Sequence, residues 1–399
     1  MPWKYLSLGE ARRRFVELVF KAQEPFVQLC QRFHISRKTG YKWKERFLAG
    51  GRRNLRDRSR RPKCPAQVIR PHWIARFRQL RRRRRHWGSK KIWAHLRRQY
   101  PYQKVPAVRT ISRYLQRLKL SGVRRRLQRK GPVMVRSALS VARKSNQVWT
   151  VDFKGWFRTR DGQRVEPLTV RDLFSRYLLA VVLLPDQQWR PARAVFMRLF
   201  RKYGLPTIIR VDNGGPFASR GPAGLSRLSA WWTALGIRVE FIDPGHPEQN
   251  AGHEQMHRVL KAETTRPVAS TMRAQQRRIN RWRWSYNHER PHEALGQRPP
   301  ALLYQASRSQ SVPRVALWKY AQGWEVRSVR SNGQIRWLGR LRFVGEAFVG
   351  YKLGLKRWPN GHWAVYFRSL LLGELHASDA GGLRPSAYVR QHPSKSKQV

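Results

Sequence analysis

Three carboxylates carry the chemistry this sequence could perform. Asp152 stands in Val148-Trp-Thr-Val-Asp-Phe153, an apolar run that reads as a strand. Asp212 ends a second such run, Thr207-Ile-Ile-Arg-Val-Asp212, within Asp-Asn-Gly. Glu254 lies in the stretch Asp243 to Lys261, on a predicted helix that follows an apolar strand ending (Val239, Phe241, Ile242) and a break at Pro244-Gly245. Adjacent strands and an abutting helix can bring three such side chains to one pocket. Hard oxygen donors without cysteine or a histidine cluster select Mg²⁺ or Mn²⁺. Two such ions stabilise both the attacking and the leaving oxygen of an in-line displacement at phosphorus. Each residue alone has a plainer reading, since an Asp at a strand end is often a turn residue and a polar helix face can simply be solvated. Asp172, in Arg-Asp-Leu-Phe-Ser-Arg-Tyr, is read as such a turn residue between strands.

The elements that must position the trio follow in order. Strands are predicted at Val148–Phe153, Val165–Val170 and Tyr177–Leu184, then a helix at Ala192–Tyr203 and a short buried strand ending in Asp212. A helix near Leu228–Leu235, a strand at Ile237–Ile242 and the Glu254 helix complete the set, closed by a helix through Arg277–Tyr286. Three strands followed by alternating helices and strands is the order of an RNase H-like α/β domain with a mixed sheet. On the Glu254 helix, Asn250, Glu254, His257 and Lys261 fall at i, i+4, i+7 and i+11 and share a face. Met256, Val259 and Leu260 point toward a core. Asn250, His257 and Lys261 are therefore assigned with Glu254 to a polar edge facing nucleic acid.

Charge names the partner class. Lys+Arg number 84 against 22 Asp+Glu, a formal +62 over 399 residues, and no Asp or Glu occurs between Asp57 and Asp152. Self-repulsion on that scale opposes compaction unless a polyanion screens it, so double-stranded DNA is the expected partner, with no membrane and no small-molecule substrate. The 41% hydrophobic share and 17 Trp exclude a simple disordered basic tail. The longest apolar run, Tyr177–Leu184, is too short to span a bilayer, and Met1-Pro-Trp-Lys lacks a signal-peptide core, which points to a cytoplasmic, nucleoid-associated protein. Cys30 and Cys64 fit a reducing compartment and form no paired metal motif.

Two helical units precede the strands. Leu8–Ala22, Glu24–Phe33 and a helix capped by Ser36 form a helix-turn-helix pattern, in which Arg37, Lys38, Lys42 and Lys44 would meet DNA. Gly50–Pro65 reads as a basic linker. After it, helices following Ser89 and spanning Val108–Leu120 place Val108, Ile111, Leu115 and Leu118 inward and Arg109, Arg113 and Arg117 in a row. Like charges at that spacing repel, so a phosphate backbone is the better explanation of the row. The hairpin signals Asn332-Gly333 and Asn360-Gly361 fit a small SH3-like β-barrel. The expected division is 1–60 helix-turn-helix, 61–121 second helix-turn-helix, 122–146 basic linker, 147–305 RNase H-like core, 306–380 barrel and 381–399 disordered tail.

Trp149-Thr-Val-Asp152-Phe, Val211-Asp212-Asn-Gly, Asn250-Ala-Gly-His-Glu254 with Lys261, and Trp284-Ser-Tyr-Asn-His-Glu-Arg-Pro-His together resemble the DDE integrase/transposase family, in particular insertion-sequence transposases with a retroviral-integrase-type core. The resemblance covers nearly the whole chain. It implies metal-dependent attack of water on a transposon-end phosphodiester, then strand transfer to target DNA by the freed 3′-hydroxyl, in a homo-oligomer assembled on DNA. It further implies that Asp152, Asp212 and Glu254 hold two Mg²⁺ or Mn²⁺ ions, that Lys261 contacts the element's end and that Asn213 lies beside the site. Retroviral integrases carry an N-terminal His/Cys zinc module. Here helix-turn-helix units stand in its place, so no zinc is expected.

The family's spacing from the second Asp to the Glu is closer to Glu248, 36 positions after Asp212, than to Glu254, 42 positions after it. Glu254 is preferred. Glu248 follows Pro247 and suits a helix's first turn, where the dipole explains a carboxylate, whereas Glu254 is expected well inside the helix; the extra residues fit the loop Ala218–Ser226. Two other readings remain open: a DNA-binding regulator derived from a transposase with a dead core, disfavoured by the intact trio, and a structure-selective RNase H-like nuclease, disfavoured by the two end-recognition modules.

Overall fold

The computed structural model describes residues 7–59, 69–121, 139–244, 246–307, 315–359, 361–378 and 382–385. Cys64, the tether over 122–138 and nearly all of the expected tail lie outside these residues. The chain divides into two compact units, Met1–Arg70 and Pro71–Val399.

The first unit packs α1 (Leu8–Lys21), α2 (Phe26–Arg32) and α3 (Arg37–Leu48) around Phe15, Val16, Leu29, Cys30, Ile35 and Trp43. Ser36 caps α3, its Oγ accepting from the Thr39 N–H at 3.3 Å, and so satisfies a backbone donor that the helix leaves unpaired. Gly40 lets α2 and α3 close: a Cβ there would fall 2.7 Å from Cys30 Sγ. The expected linker begins one turn too early. Gly51–Leu55 is a 3₁₀ turn whose Leu55 is buried in the unit's core, and its carbonyl accepts from Arg12, which also pairs with Asp57 at 2.9 Å.

The second unit opens with α4 (Pro71–Arg83), α5 (Ser89–Gln99) and α6 (Val108–Arg117). Trp73, Phe77, Trp87, Ile92, Leu96, Ile111 and Leu115 are buried; Val108 and Leu118 are only half-buried. These helices do not stand apart as the expected separate domain. Arg84 ion-pairs with Glu289, Lys90 with Glu293 at 2.8 Å, and Arg98 donates to the Glu289 carbonyl at 3.3 Å.

The core follows as β1 (Val148–Phe153), β2 (Phe157–Arg158), β3 (Arg164–Asp172), β4 (Leu178–Leu184), α7 (Trp189–Tyr203), β5 (Ile208–Val211), α8 (Arg227–Ala234), β6 (Arg238–Phe241), α9 (Ala251–Thr264) and α10 (Met272–His288). The sheet runs β4-β3-β1-β5-β6, with β2 extending one end of β3. β3 is antiparallel to β1 and β4, while β5 is parallel to β1 and β6 to β5. This is the mixed integrase-type RNase H-like core. One sheet face packs Trp149 and Val151 against Phe196 and Phe200 of α7 and Trp231 and Trp232 of α8. The other packs Val165, Leu178, Val181 and Leu183 against Met256 and Leu260 of α9 and Ile279, Trp282 and Tyr286 of α10. Burial on both faces explains the continuous apolar runs, each fully buried large side chain contributing about 1.5–3 kcal/mol.

The residue that closes the expected tether is part of this core. Asn146 is buried; its N–H donates to Asp172 at 2.8 Å and its amide to the Tyr203 carbonyl at 3.1 Å. Asp172 is fully buried at the end of β3 and also accepts from the Ser175 N–H at 2.8 Å. It is the last residue of β3, paired with Trp149, and not the turn residue expected from the sequence; its carboxylate holds the turn that follows.

The last part of the unit is all β: β7 (Glu325–Ser328), β8 (Gln334–Trp337), β9 (Arg340–Phe343), β10 (Lys352–Arg357), β11 (Trp363–Phe367) and β12 (Leu370–Leu375). Among the described residues these strands make a four-stranded sheet, β12-β11-β10-β7, and a separate hairpin, β8-β9, in place of one continuous barrel ladder. Their core continues into Leu225, Ala230 and Ala234 beside and on α8. Gly333 turns at φ 75°, but β7 and β8 on either side of it lie in different sheets and make no hairpin ladder; the β8–β9 turn uses Leu338 (φ 48°) and Gly339 (φ 75°). Among the described residues no helix is long and apolar enough to cross a membrane.

Candidate active site

The parallel register of β1 and β5 pairs Thr150 with Arg210. Two residues further along, Asp152 and Asp212 come level at the ends of neighbouring strands. The N-terminus of α9 reaches the same place, because Asn250 donates its Nδ2–H to Asp152 Oδ2 at 2.9 Å. Burial pushes the Asp152 carboxyl up to about 7, the charge of Asp212 adds to this and that of Glu254 adds less, while hydrogen bonds from Phe153 and Asn250 oppose it. Asp212 and Glu254 thus each act on Asp152, although the three carboxylates do not all lie within 4.8 Å of one another. Among the described residues no Lys or Arg forms an ion pair with Asp152, Asp212 or Glu254; His257 Nδ1 lies 3.9 Å from Asp152 Oδ2. In a chain with 84 Lys and Arg, this gap in charge compensation fits a hard divalent cation held by carboxylate oxygen.

Each side chain has a local cause. Asp212 follows β5 and accepts from the Gly214 N–H at 3.2 Å. Asn213 donates to the Ile242 carbonyl at 2.8 Å, so its amide ties the ends of β5 and β6 together beside the site. Glu254 is exposed, but not deep in its helix as expected. Pro247–Asn250 forms a 3₁₀ turn and α9 begins at Ala251, which puts Glu254 in the first α-helical turn. The dipole argument applied to Glu248 thus applies to Glu254 instead. The Glu248 side chain lies outside the described residues.

His257 turns inward rather than toward solvent: its Nε2 lies 2.9 Å from Thr169 Oγ1, and burial with the charges of Lys154 and Arg171 lowers its pKa to about 3. His253, one turn earlier, is completely buried and lies between Thr169 (3.2 Å) and Thr150 (2.7 Å). Both rings are neutral at pH 7 and hold α9 against β1 and β3. Asp152, His253 and His257 place three possible ligand atoms within 4.8 Å of one another, yet both ring nitrogens of His253 are already engaged by threonines.

Sequence reasoning missed three residues. Lys154 feels the positive charge of Lys261, so an exposed Lys261 and a half-buried Lys154 make a cationic edge beside the carboxylates. Its signal was the strand period, two residues after Asp152. His253 carried only an alternation signal. Arg171 carried none: its guanidinium is buried against Gly252, where a Cβ would lie 2.7 Å from Nη1 and closer still to Nη2. Gly252→Ala, which ordinarily favours a helix, should here cost about 1–3 kcal/mol through overpacking, read as a lower urea midpoint at unchanged m-value.

On the helix-turn-helix units, Arg37, Lys38 and Lys42 are exposed and Lys44 is half-buried. Arg109, Arg113 and Arg117 are all exposed along α6, as the row predicted.

Comparisons with known proteins bear on the family of the chain. Residues 142–247 and 235–300 each match a family described as an integrase core domain. Residues 11–63 match a helix-turn-helix domain and 39–115 a homeodomain-like domain. The chain is 31% identical over 219 residues to an uncharacterized 31.7 kDa protein of insertion element IS407 from Burkholderia multivorans, a match covering 52% of this chain and 76% of that protein. It is 31% identical over 241 residues to an uncharacterized 39.2 kDa protein of insertion element IS476 from Xanthomonas euvesicatoria, covering 59% of this chain and 65% of that protein. Among solved structures, the HTLV-2 integrase catalytic core domain in complex with magnesium is 14% identical with a TM-score of 0.33, over 41% of this chain and 100% of that one. A chain of the simian T-cell lymphotropic virus intasome in complex with PP2A regulatory subunit B56 gamma is 15% identical with a TM-score of 0.37, over 75% of this chain and 99% of that one.

Proposed function

Since the chain belongs to the insertion-element transposases with an integrase core domain, we propose that it cuts the phosphodiester backbone at its element's ends and joins the freed 3′-hydroxyl to target DNA, using Mg²⁺ or Mn²⁺. The observation that carries this is Asp152, half-hidden at the end of β1 with no Lys or Arg ion pair among the described residues, its carboxyl pushed up to about 7 by burial first and then by the charges of Asp212 and, less, Glu254. These residues would hold the cations, two per site. When bound, the cations supply Lewis-acid stabilisation of the attacking and leaving oxygens. Asn250 fixes Asp152 Oδ2, Asn213 fixes the strand ends, and the neutral His253 and His257 keep α9 seated on the sheet. Lys154 and Lys261 offer the DNA backbone a positive edge. A regulator with a dead core would not need to keep Asp152 buried within reach of the charges of Asp212 and Glu254. A strand-transfer assay with labelled end DNA tests the reading: joining should require Mg²⁺ or Mn²⁺, and metal-independent joining would refute it.

End recognition is assigned to α3 and α6, the C-terminal β unit giving sequence-blind contacts, in a homo-oligomer that bridges both ends. Arg113→Ala should cost roughly 1–3 kcal/mol of end binding if the guanidinium reads a base edge, and less if it touches phosphate alone. Gel shifts with end and scrambled DNA separate the two cases. Affinity should fall steeply with salt as phosphate contacts release counterions.

A further inference from the structure

Among the described residues, one cluster of ligating side chains lies outside the carboxylate site, in the C-terminal β part. The β11–β12 ladder pairs Trp363 with Leu375 and Ala364 with Glu374, so His362 and His376 form the next rung outward. Residues directly opposite share a face, as do residues two apart on one strand. Both imidazoles and the Glu374 carboxylate therefore rise on the same side, and the fourth corner of that square is Ala364, too small to fill the space between them. His362 Nδ1 lies 2.8 Å from His376 Nε2. Glu374 Oε2 lies 3.9 Å from the first nitrogen and 3.7 Å from the second. Glu374 is almost completely buried, while the His362 and His376 side chains remain 35% and 24% exposed, which leaves an approach from solvent.

Three donor atoms converge here, each within 4.8 Å of the other two. A tetrahedral Zn²⁺ sets its ligand atoms about 3.3 Å apart, given bonds of about 2.0–2.1 Å. The observed separations bracket that value and need shifts of about half an ångström to meet it. Two imidazoles with one carboxylate suit a borderline cation and not Mg²⁺, and three protein ligands leave one position for water. We propose that His362, Glu374 and His376 bind one divalent cation of the Zn²⁺ class, which clips the open end of the β11–β12 hairpin. This site is separate from the Asp152 site in ligand type and in place, and it would make the expectation of a zinc-free chain wrong.

The full chain, stripped with chelator and then equilibrated with Zn²⁺, should keep one equivalent after gel filtration, measured by elemental analysis. That equivalent should persist in Asp152→Asn and be lost in the double variant His362→Gln/His376→Gln. Zn²⁺ should raise the thermal midpoint of the native chain and leave that of the double variant unchanged. Co²⁺ added to the native chain should give the intense visible absorption of a low-symmetry four-coordinate nitrogen site, a readout that needs no variant to fold. Equal zinc retention by the native chain and the double variant, a Co²⁺ spectrum of the pale octahedral type, or no retention at all would each overturn the proposal; the last outcome would make the cluster a hydrogen-bonded imidazole pair.

Discussion

Asp152→Asn should reduce both end cleavage and strand joining to assay background while end-DNA binding stays at least as tight as in the native chain. The amide keeps the shape and can still accept from Asn250, but it replaces an anionic oxygen with a neutral one, a poor ligand for a hard divalent cation. In metal-free buffer, removing a negative charge beside a polyanion does not weaken the contact to DNA. The same variant has a second, independent consequence. In the fold the Asp152 carboxyl is pushed up to about 7 from 3.8, so the folded state holds this proton more tightly than the unfolded state. Stability is then fully present below about pH 4 and is lost as pH rises through about 7, by at most about 4 kcal/mol. Metal-free Asp152→Asn should therefore unfold at higher urea than the native chain at pH 8, and at nearly the same urea at pH 4. Mg²⁺ should narrow the gap at pH 8 by stabilising only the native trio. A variant that joins strands at the native rate, or one whose stability follows pH as the native chain does, would remove Asp152 from the site.

The parts of this architecture legible in the sequence were those set by local pattern. The strands carrying Asp152 and Asp212 were visible because both of their faces are buried and their residues are apolar and β-branched. The inward positions Ile111 and Leu115 and the outward arginines of α6 followed from helical period alone. What long-range contacts decide was not legible. Leu55 belongs to a core through contact with residues some forty positions earlier, and Asn146 is buried because Asp172 and Tyr203 receive it. The second helical unit docks on the end of α10 through ion pairs among charges that looked like a solvated surface. Leu338 in a positive-φ turn runs against its own preference, and only the β8–β9 pairing requires it. Arg171 is the sharpest case: a buried cation whose place is set by a glycine 81 positions away.

Glu254→Gln should also bring joining to background, whereas Glu248→Gln should leave it within about threefold of native, a difference of less than 1 kcal/mol in barrier. The 3₁₀ turn Pro247–Asn250 ends at the residue that binds Asp152, and α9 starts immediately after it. Glu254 then stands one helical turn beyond Asn250 on the same face, and its charge reaches Asp152. Lys261, seven residues on and about 10.5 Å along the axis, can meet DNA lying over the metals. The two carboxylate neighbours of Asp152 should also differ in size of effect. Asp212→Asn should lower the midpoint of the pH-dependent stability loss more than Glu254→Gln does, because Asp212 is the stronger source of repulsion. Urea titrations of the chelated variants between pH 4 and 8 would read that order. If Glu248→Gln loses joining while Glu254→Gln keeps it, and the pH midpoint ignores Glu254, the third ligand has been placed six residues too late.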